Sequence, residues 1–128
     1  VCLLRSKYGT FPEYHTSNDD LSFVTPSGFA GSFDIYKKTL SALESNVVWK
    51  AVQPCEPQLG RRGLYPNVST PKVVKSRRDV MLIREFMAHA DGDIDLLGIA
   101  ERIDEDILTC AETAEVLAEL DLIRIIPN

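Results

Sequence analysis

The sequence predicts an α/β segment followed by a mainly α-helical winged helix-turn-helix, and three observations lead to this fold class. Residues 1–75 combine short apolar runs, one amphipathic helical segment and a loop rich in proline and glycine. Residues 76–128 contain three closely spaced helical segments and a closing apolar strand, the order of a helix-turn-helix with the remnant of a wing. Charge changes as well, from nine Lys/Arg against six Asp/Glu in residues 1–75 to five against thirteen in residues 76–128. Such a break predicts two domains, 1–75 and 76–128, with different surfaces.

The first domain is predicted to contain a strand, a turn, a helix and a second strand. Residues 1–5 form an apolar run that predicts a buried strand. Residues 25–28 predict a turn, and Ser32 is the expected N-cap of the helix that follows. Residues 47–52 predict the second strand. The helix is expected to pack on a sheet through an apolar face made of Phe33, Tyr36, Leu40, Leu43 and Val47.

The second domain is predicted to contain three capped helices. Ser76, with an aspartate three residues later, matches a capping box at the start of the first helix, which Gly92 is expected to end. Asp95 and Asp104 are the expected N-caps of the second and third helices.

The domain is expected to close with a strand at residues 122–126. A strand needs a hydrogen-bonding partner, and the nearest candidate by composition is Val73-Val74.

The stretch Glu13–Asp20 holds the main candidate for a functional site. It contains His15, one of only two histidines in the chain. Imidazole is a common zinc ligand, and its second ring nitrogen usually needs an acceptor, which Asp19 or Asp20 could supply. Tyr14 could bring a phenol to a reacting carbonyl. The alternative is a surface or hydrogen-bonded histidine, the more common situation for a lone histidine in a turn-rich segment.

Further candidate residues lie at the end of the first predicted strand and in a loop. Arg5 could pair with a substrate carboxylate, or it could be solvated or paired with Glu13. Residues 54–66 must form a loop because they include three prolines and two glycines. This loop could line a cleft, or it could be an ordered connector whose polar side chains cap neighbouring backbone. Its candidate residues are Glu56, Gln58, Arg61, Arg62 and Tyr65.

Composition limits the partners and the compartment. No apolar segment approaches the roughly 20 residues needed to span a bilayer, so no membrane partner is expected. Cys2, Cys55 and Cys110 are far apart and odd in number, which indicates reduced thiols in a cytoplasmic protein. The third predicted helix begins with an Asp-Glu-Asp run, and residues 93–121 contain ten acids and one base. Phosphate repulsion along that face excludes nucleic acid as an expected partner.

The Tyr-His-Thr-Ser-Asn-Asp run of residues 14–19 resembles the last metal-ligand segment of the co-catalytic zinc aminopeptidases. A second run, Cys-Glu-Pro-Gln-Leu-Gly-Arg-Arg-Gly-Leu-Tyr-Pro at residues 55–66, and the helical tail extend the resemblance over most of the chain. Together they resemble a bacterial subfamily of aminopeptidase-like proteins that ends in a winged helix. The resemblance implies that residues 1–75 are the C-terminal portion of a zinc-aminopeptidase-like α/β domain.

The resemblance also implies a mechanism, namely hydrolysis of a peptide or peptide-like substrate assisted by two zinc ions. His15 would be one zinc ligand, Tyr14 a donor to the developing oxyanion, and Asp19 or Asp20 a partner of the ligand. The other His, Asp and Glu ligands of the family and its general base are absent from this sequence. We therefore expect the C-terminal part of a longer protein, with no tight zinc site and no activity by itself. The acidic winged helix would serve packing or protein interaction.

A second interpretation is a non-enzymatic adaptor or regulatory winged-helix protein in which the histidine turn is structural. The two interpretations differ in what the sequence upstream of residue 1 is expected to contain, because a His-x-Asp motif and a Glu-Glu pair there would favour the hydrolase. In either case an incomplete sheet would expose a strand edge, through which copies could pair as a homo-oligomer.

Overall fold

A computed structural model of the chain describes residues 2–65 and 76–127. The chain divides into two compact units, residues 1–41 and 42–128. The predicted boundary between residues 75 and 76 differs from this division, because a strand from before that boundary lies at the centre of the second unit's sheet. Among the described residues the elements are α1 (Pro26–Ser45), β1 (Val48–Ala51), a 3₁₀ helix (Leu59–Arg62), α2 (Arg77–His89), β2 (Asp91–Asp95), α3 (Leu96–Ile103), α4 (Ile107–Glu119) and β3 (Ile123–Ile126).

Helix α1 begins earlier than predicted. Thr25 is its N-cap, since the Gly28 N–H donates to Thr25 Oγ1 at 3.2 Å. Pro26 occupies the first helical position, where its missing N–H costs nothing and its fixed φ suits the helix. The prediction of a turn at residues 25–28 is therefore wrong, because Thr25 caps the helix and residues 26–28 lie in its first turn. Ser32 is not the N-cap, and its hydroxyl donates to the Gly28 carbonyl at 3.0 Å inside the helix.

The prediction of a buried strand at residues 1–5 is wrong for the described residues 2–5, which have no strand conformation. A strand needs backbone partners on a neighbouring strand, and the described part of the first unit supplies none. The Leu3 carbonyl instead accepts from the Tyr36 hydroxyl at 3.2 Å, and Leu4 is 59% exposed.

The apolar face of α1 is present but is not buried. Phe29, Phe33 and Leu40 are each more than half exposed, and no residue of the helix is buried. The expected packing of this helix on a sheet is not found among the described residues of the first unit.

The second unit contains a three-stranded antiparallel sheet in the order β2-β1-β3. Strand β1 pairs with β3 along four residues, with Trp49 opposite Ile125 and Ala51 opposite Ile123. The strands predicted at residues 47–52 and 122–126 are thus confirmed, and they pair with each other. The partner suggested for the closing strand, residues 73–74, lies outside the described residues.

Strand β2 was not predicted, because its sequence Asp-Gly-Asp-Ile-Asp is unlike that of a strand. Gly92 lies within it at φ 88° instead of ending α2, which finishes at His89. A Cβ on Gly92 would lie 2.9 Å from Ile126 Cδ1 and 3.2 Å from Lys50 Cδ, so this position needs glycine for both its conformation and its close contacts.

Two of the predicted helix starts are confirmed. Ser76 and Asp79 form a reciprocal capping box at the start of α2. Asp95 caps α3, and its Oδ1 accepts from the Gly98 N–H at 2.9 Å. The same aspartate is the last residue of β2, so the strand leads directly into the helix.

The predicted cap of α4 is wrong by two residues. Asp106 is the N-cap, and its Oδ1 accepts from the N–H groups of Leu108 at 2.9 Å and Thr109 at 3.2 Å. Asp104 instead ends α3 in the left-handed conformation at φ 52°, which aspartate tolerates better than most residues.

The helices and the sheet of the second unit enclose one hydrophobic core. Its fully buried side chains include Phe86 from α2, Ile99 from α3 and Leu117 from α4. Leu59 and Leu64 are only 2% and 0% exposed although they come from the 54–66 loop. The described part of that loop is therefore anchored in the core of the winged helix.

Candidate functional site

The residues around His15 form successive turns in the first unit. His15 has φ 57°, a left-handed conformation that is uncommon outside glycine and occurs preferentially at functional sites. Its ring meets the Tyr14 ring edge-on, with centroids 4.2 Å apart. Thr16 fixes the turn, because its N–H and its hydroxyl both donate to the Glu13 carbonyl, at 3.1 and 2.9 Å. The turn thus presents an exposed imidazole beside a phenol.

Tyr14 is held by an aromatic cluster. Its ring packs edge-on against Phe11 at a centroid distance of 5.8 Å and lies 6.1 Å from the Tyr8 ring. Phe11 in turn stacks on Phe23 at 5.5 Å. These contacts limit the positions that the phenol can take beside His15.

The carboxylates expected to orient the imidazole are placed differently. Asp20 Oδ1 accepts from the Ser22 hydroxyl at 2.6 Å and from the Ser22 N–H at 2.7 Å. These two hydrogen bonds hold the pKa of the Asp20 carboxyl below its usual value. Within the described residues, no hydrogen bond joins His15 to Asp19 or Asp20. The structure therefore brings Tyr14 to His15 by a ring contact but joins neither carboxylate to it.

Arg5 lies against the first turn of α1. Its Nη1 donates to the Gly28 carbonyl at 2.9 Å. A Cβ at Gly31 would lie 3.2 Å from the same nitrogen, so the absence of a side chain there makes room for the guanidinium. The hydrogen bond to Gly28 accounts for the position of Arg5. The pairings considered from the sequence, with a substrate carboxylate or with Glu13, are not needed to explain it.

The candidate residues of the 54–66 loop lie in the 3₁₀ helix or within a few residues of it. Gly63 closes that helix at φ 70°, and its N–H donates to the Gly60 carbonyl at 3.3 Å. Glu56 Oε1 lies 3.4 Å from Nε of Arg84 on α2. Gln58, Arg61 and Tyr65 are exposed and Arg62 is partly buried. Buried leucines thus fix the loop, as expected for an ordered connector, and they leave its polar side chains at the surface.

The 54–66 loop lines a pocket in the second unit, as one of its two interpretations from the sequence allowed, but sequence reasoning missed the wall that α2 forms. The pocket has a volume of about 670 Å³ and lies between α2 and the segment that follows β1. Its walls include Met81 and Arg84, which are separated by one turn of α2. The sequence does contain a signal for this wall, because these residues recur at helical spacing on the face of α2 opposite the buried Phe86 and Ile83.

The described residues do not form a complete metal site. A catalytic zinc ion usually has about three protein ligands. Among residues 2–65 and 76–127, no group of three or more His, Cys, Asp or Glu side chains could hold a metal ion. His15 could be one ligand only, and further ligands would have to come from outside the described residues.

The three-helix arrangement, the sheet and the short α3–α4 connection define a winged helix-turn-helix. Residues 47–125 match the family model for a winged helix-turn-helix, and the chain belongs to this family. Residues 1–46 match a domain of unknown function, DUF4910. The family match begins just before β1, in agreement with the central place of that strand in the sheet.

The chain is also similar to longer proteins. It is 30% identical over 125 residues to a Clostridium acetobutylicum protein named for polysaccharide biosynthesis and an aminopeptidase-like domain. That similarity covers 97% of this chain but only 28% of the relative. A crystal structure described as that of a peptidase from Clostridium acetobutylicum matches 91% of this chain and 24% of its own, with a TM-score of 0.73 and 26% identity. The predicted fold class and the resemblance to aminopeptidase-like proteins with a winged helix are thereby confirmed.

The helices also bear on membrane association. Within the part of the chain that the structure describes, none of them combines the length and the apolar character that a bilayer span requires.

Proposed function

We propose that this chain is part of a zinc-dependent aminopeptidase-like hydrolase that acts on a peptide or peptide-like substrate. The observation that carries the proposal is the likeness of nearly the whole chain to a protein with an aminopeptidase-like domain. The solved structure described as a peptidase also supports it. Because the chain spans only about a quarter of either protein, the activity belongs to the full-length protein and is not expected of this chain alone.

In this proposal His15 contributes one ligand to a zinc ion. Its exposure and its left-handed backbone support that role, because they leave the imidazole accessible on a turn fixed by Thr16. Tyr14, held beside it by the aromatic cluster, would donate to the substrate oxygen. Asp19 and Asp20 remain candidate partners of the ligand, but they would have to rearrange, since Asp20 is occupied by Ser22.

The winged helix is proposed to act in packing or in protein interaction and not in nucleic acid binding. Ten acids and one base in residues 93–121 would repel phosphates. Glu105 also pairs with Arg78 at 2.9 Å, which neutralises a base close to the start of α4. A cytoplasmic location fits the three free thiols of Cys2, Cys55 and Cys110.

The proposal is tested by metal analysis and an aminopeptidase assay on the full-length protein with His15→Ala. The chain offers a matched control in its second histidine, His89, which lies at the end of α2 and would be changed to alanine in parallel. We expect His15→Ala to lose zinc and activity while His89→Ala keeps both. Unchanged zinc content and activity in His15→Ala would reject the catalytic role and favour the adaptor interpretation.

A further inference from the structure

The pocket beside α2 belongs entirely to the second unit. It lies between α2 and the segment that continues from β1 through residue 57. Its volume of about 670 Å³ falls within the range of roughly 300–1,000 Å³ that is typical of ligand sites. The proposed hydrolytic function makes no use of it, so its role can be considered separately.

The walls of the pocket are held in place by the core. Backbone hydrogen bonds fix the end of β1 and the residue after it, from Ala51 N–H to the Ala90 carbonyl at 2.7 Å and from Val52 N–H to the Leu122 carbonyl at 2.9 Å. Farther along the segment, the buried Leu59 anchors it. A pocket whose walls are already fixed binds a ligand with little cost of ordering.

The buried residues of the lining are apolar, and its charged residues are all exposed and form what is here called the rim, namely Lys50, Glu56, Arg84, Glu85 and Asp91. Leu59 and Ala90 are buried, whereas Met81 and Val52 are each 50% exposed. A methionine at the mouth suits an apolar side chain of variable shape, because the thioether side chain is flexible and polarisable. Water-exposed apolar surface of this kind, framed by polar groups, is typical of a binding site.

The charged side chains at the rim determine which charge a ligand of the pocket should carry. Arg84 is already paired with Glu56 at 3.4 Å. Of the remaining rim charges, Glu85 and Asp91 are carboxylates and Lys50 is an ammonium, and no ion pair joins them among the described residues. Carboxylates therefore outnumber cations, and the second unit as a whole is acidic, with ten Lys/Arg against fifteen Asp/Glu in residues 42–128. A cationic ligand is favoured and a phosphate-bearing one is disfavoured.

We propose that this pocket binds a peptide segment that carries an apolar side chain next to lysine or arginine. The apolar side chain enters beside Met81, and the basic side chain lies at the rim near Glu85 and Asp91. The winged helix thereby gains a function as a peptide-docking module.

The test is a fluorescence anisotropy titration of the 128-residue chain with capped, labelled peptides. The probe is Gly-Leu-Lys-Lys-Gly, and its two controls replace leucine by serine or both lysines by glutamate. We expect the probe to bind, each control to bind at least about five-fold more weakly, and added salt to weaken binding. No binding of the probe, or equal binding of the glutamate control, would overturn the proposal.

Variants locate the binding to the pocket. Ala88 lies on the exposed side of α2 and lines the pocket, so Ala88→Phe should fill it and abolish binding. Glu85→Lys reverses one rim charge and should weaken binding by about five-fold. Glu119→Lys makes the same charge change on an exposed residue outside the pocket and should leave binding within about two-fold of the original. Thermal melts confirm that each variant is folded, and equal weakening by Glu85→Lys and Glu119→Lys would show nonspecific attraction and refute the site.

The cysteines give a second readout that does not depend on substitution. Cys55 is exposed and lines the pocket, Cys2 is exposed in the first unit, and Cys110 is buried. The probe peptide should slow alkylation of Cys55 by iodoacetamide, measured by peptide mass spectrometry, without changing the rate at Cys2. Equal protection or no protection at the two thiols would contradict binding at this pocket.

Discussion

The central place of β1 can be tested by dividing the chain. Residues 76–128 contain all three helices of the helix-turn-helix together with β2 and β3, whereas residues 42–128 add β1 and the loop after it. Because β1 lies between β2 and β3, the shorter fragment has two strands with no partner between them. We expect residues 42–128 to unfold cooperatively and residues 76–128 not to fold.

The expected cost follows from what the shorter fragment loses. Trp49, Leu59 and Leu64 are 8%, 2% and 0% exposed, and all three belong to the core. Truncation of a buried leucine costs about 2–5 kcal/mol and of a buried aromatic about 3–5 kcal/mol, so their loss amounts to roughly 7–15 kcal/mol. That range is as large as the whole stability of a typical domain, about 5–15 kcal/mol. The main-chain hydrogen bonds of β1 are lost in addition.

The assay is circular dichroism during thermal and urea unfolding of both fragments, with tryptophan fluorescence as a second probe for the longer one. A single sigmoidal transition in residues 42–128 and a featureless curve in residues 76–128 are the expected results. A cooperative transition of similar midpoint in residues 76–128 would show that β1 is dispensable, and it would support the boundary predicted from the sequence.

Two further predictions concern single side chains of the second unit. Asp95→Ala should destabilise the chain by about 1 kcal/mol in urea unfolding, because Asp95 caps α3. The Gly98 N–H and the Asn46 amide hold the pKa of Asp95 below its usual value, so its stabilisation is present above the unfolded pKa of about 3.9 and lost as the pH falls through the folded value. The difference between Asp95→Ala and the original chain should therefore shrink below about pH 4, and a constant difference would contradict the charged cap. Burial raises the pKa of the Cys110 thiol to about 11, so Cys110 should resist iodoacetamide at pH 8 until the chain is unfolded with urea, and its rapid modification in the native chain would refute its burial.

The helix-turn-helix was largely predictable because its signals are local. A capping box at Ser76 and an N-cap at Asp95 are read from a few adjacent residues, and the structure contains both. The α4 cap was misplaced because aspartate occurs at both 104 and 106, and either can cap a helix or occupy a left-handed position. The choice is made by the α3–α4 connection, in which the Glu105 N–H donates to the Ala100 carbonyl at 3.1 Å.

The pairing of the strands was not predictable from composition, because the partners are far apart in the sequence. Strand β1 pairs with β3 across more than seventy residues, and Trp49 meets Ile125 without any local signal. Strand β2 was missed since its three aspartates disfavour a strand, and it forms because Gly92 allows a close approach to Lys50 and Ile126. In both β1 and β2, contacts with residues distant in sequence decide the structure, and the local preference of the sequence for or against a strand does not.

The candidate site was predictable as a set of residue types but not as a geometry. The sequence placed Tyr14 and His15 side by side, and the rings do make contact. Spacing alone could not show that Asp20 would bond to Ser22, two residues away, instead of to the imidazole. Hydrogen bonds between residues close in sequence compete well with those between residues farther apart in sequence, because fewer residues have to be ordered to form them.

A winged helix-turn-helix is a fold and does not by itself imply a nucleic acid partner. A recognition helix that reads DNA places basic or amide side chains at its N-terminal end, near phosphates and base edges. In α4 that end is formed by Asp106, whose carboxylate is used to cap the helix, and by Glu105, whose partner Arg78 is thereby neutralised. The same surplus of carboxylates continues at Glu85 and Asp91 beside the pocket. A net surplus of carboxylates favours cationic ligands, so the basic peptide proposed for the pocket is compatible with the charge of both surfaces.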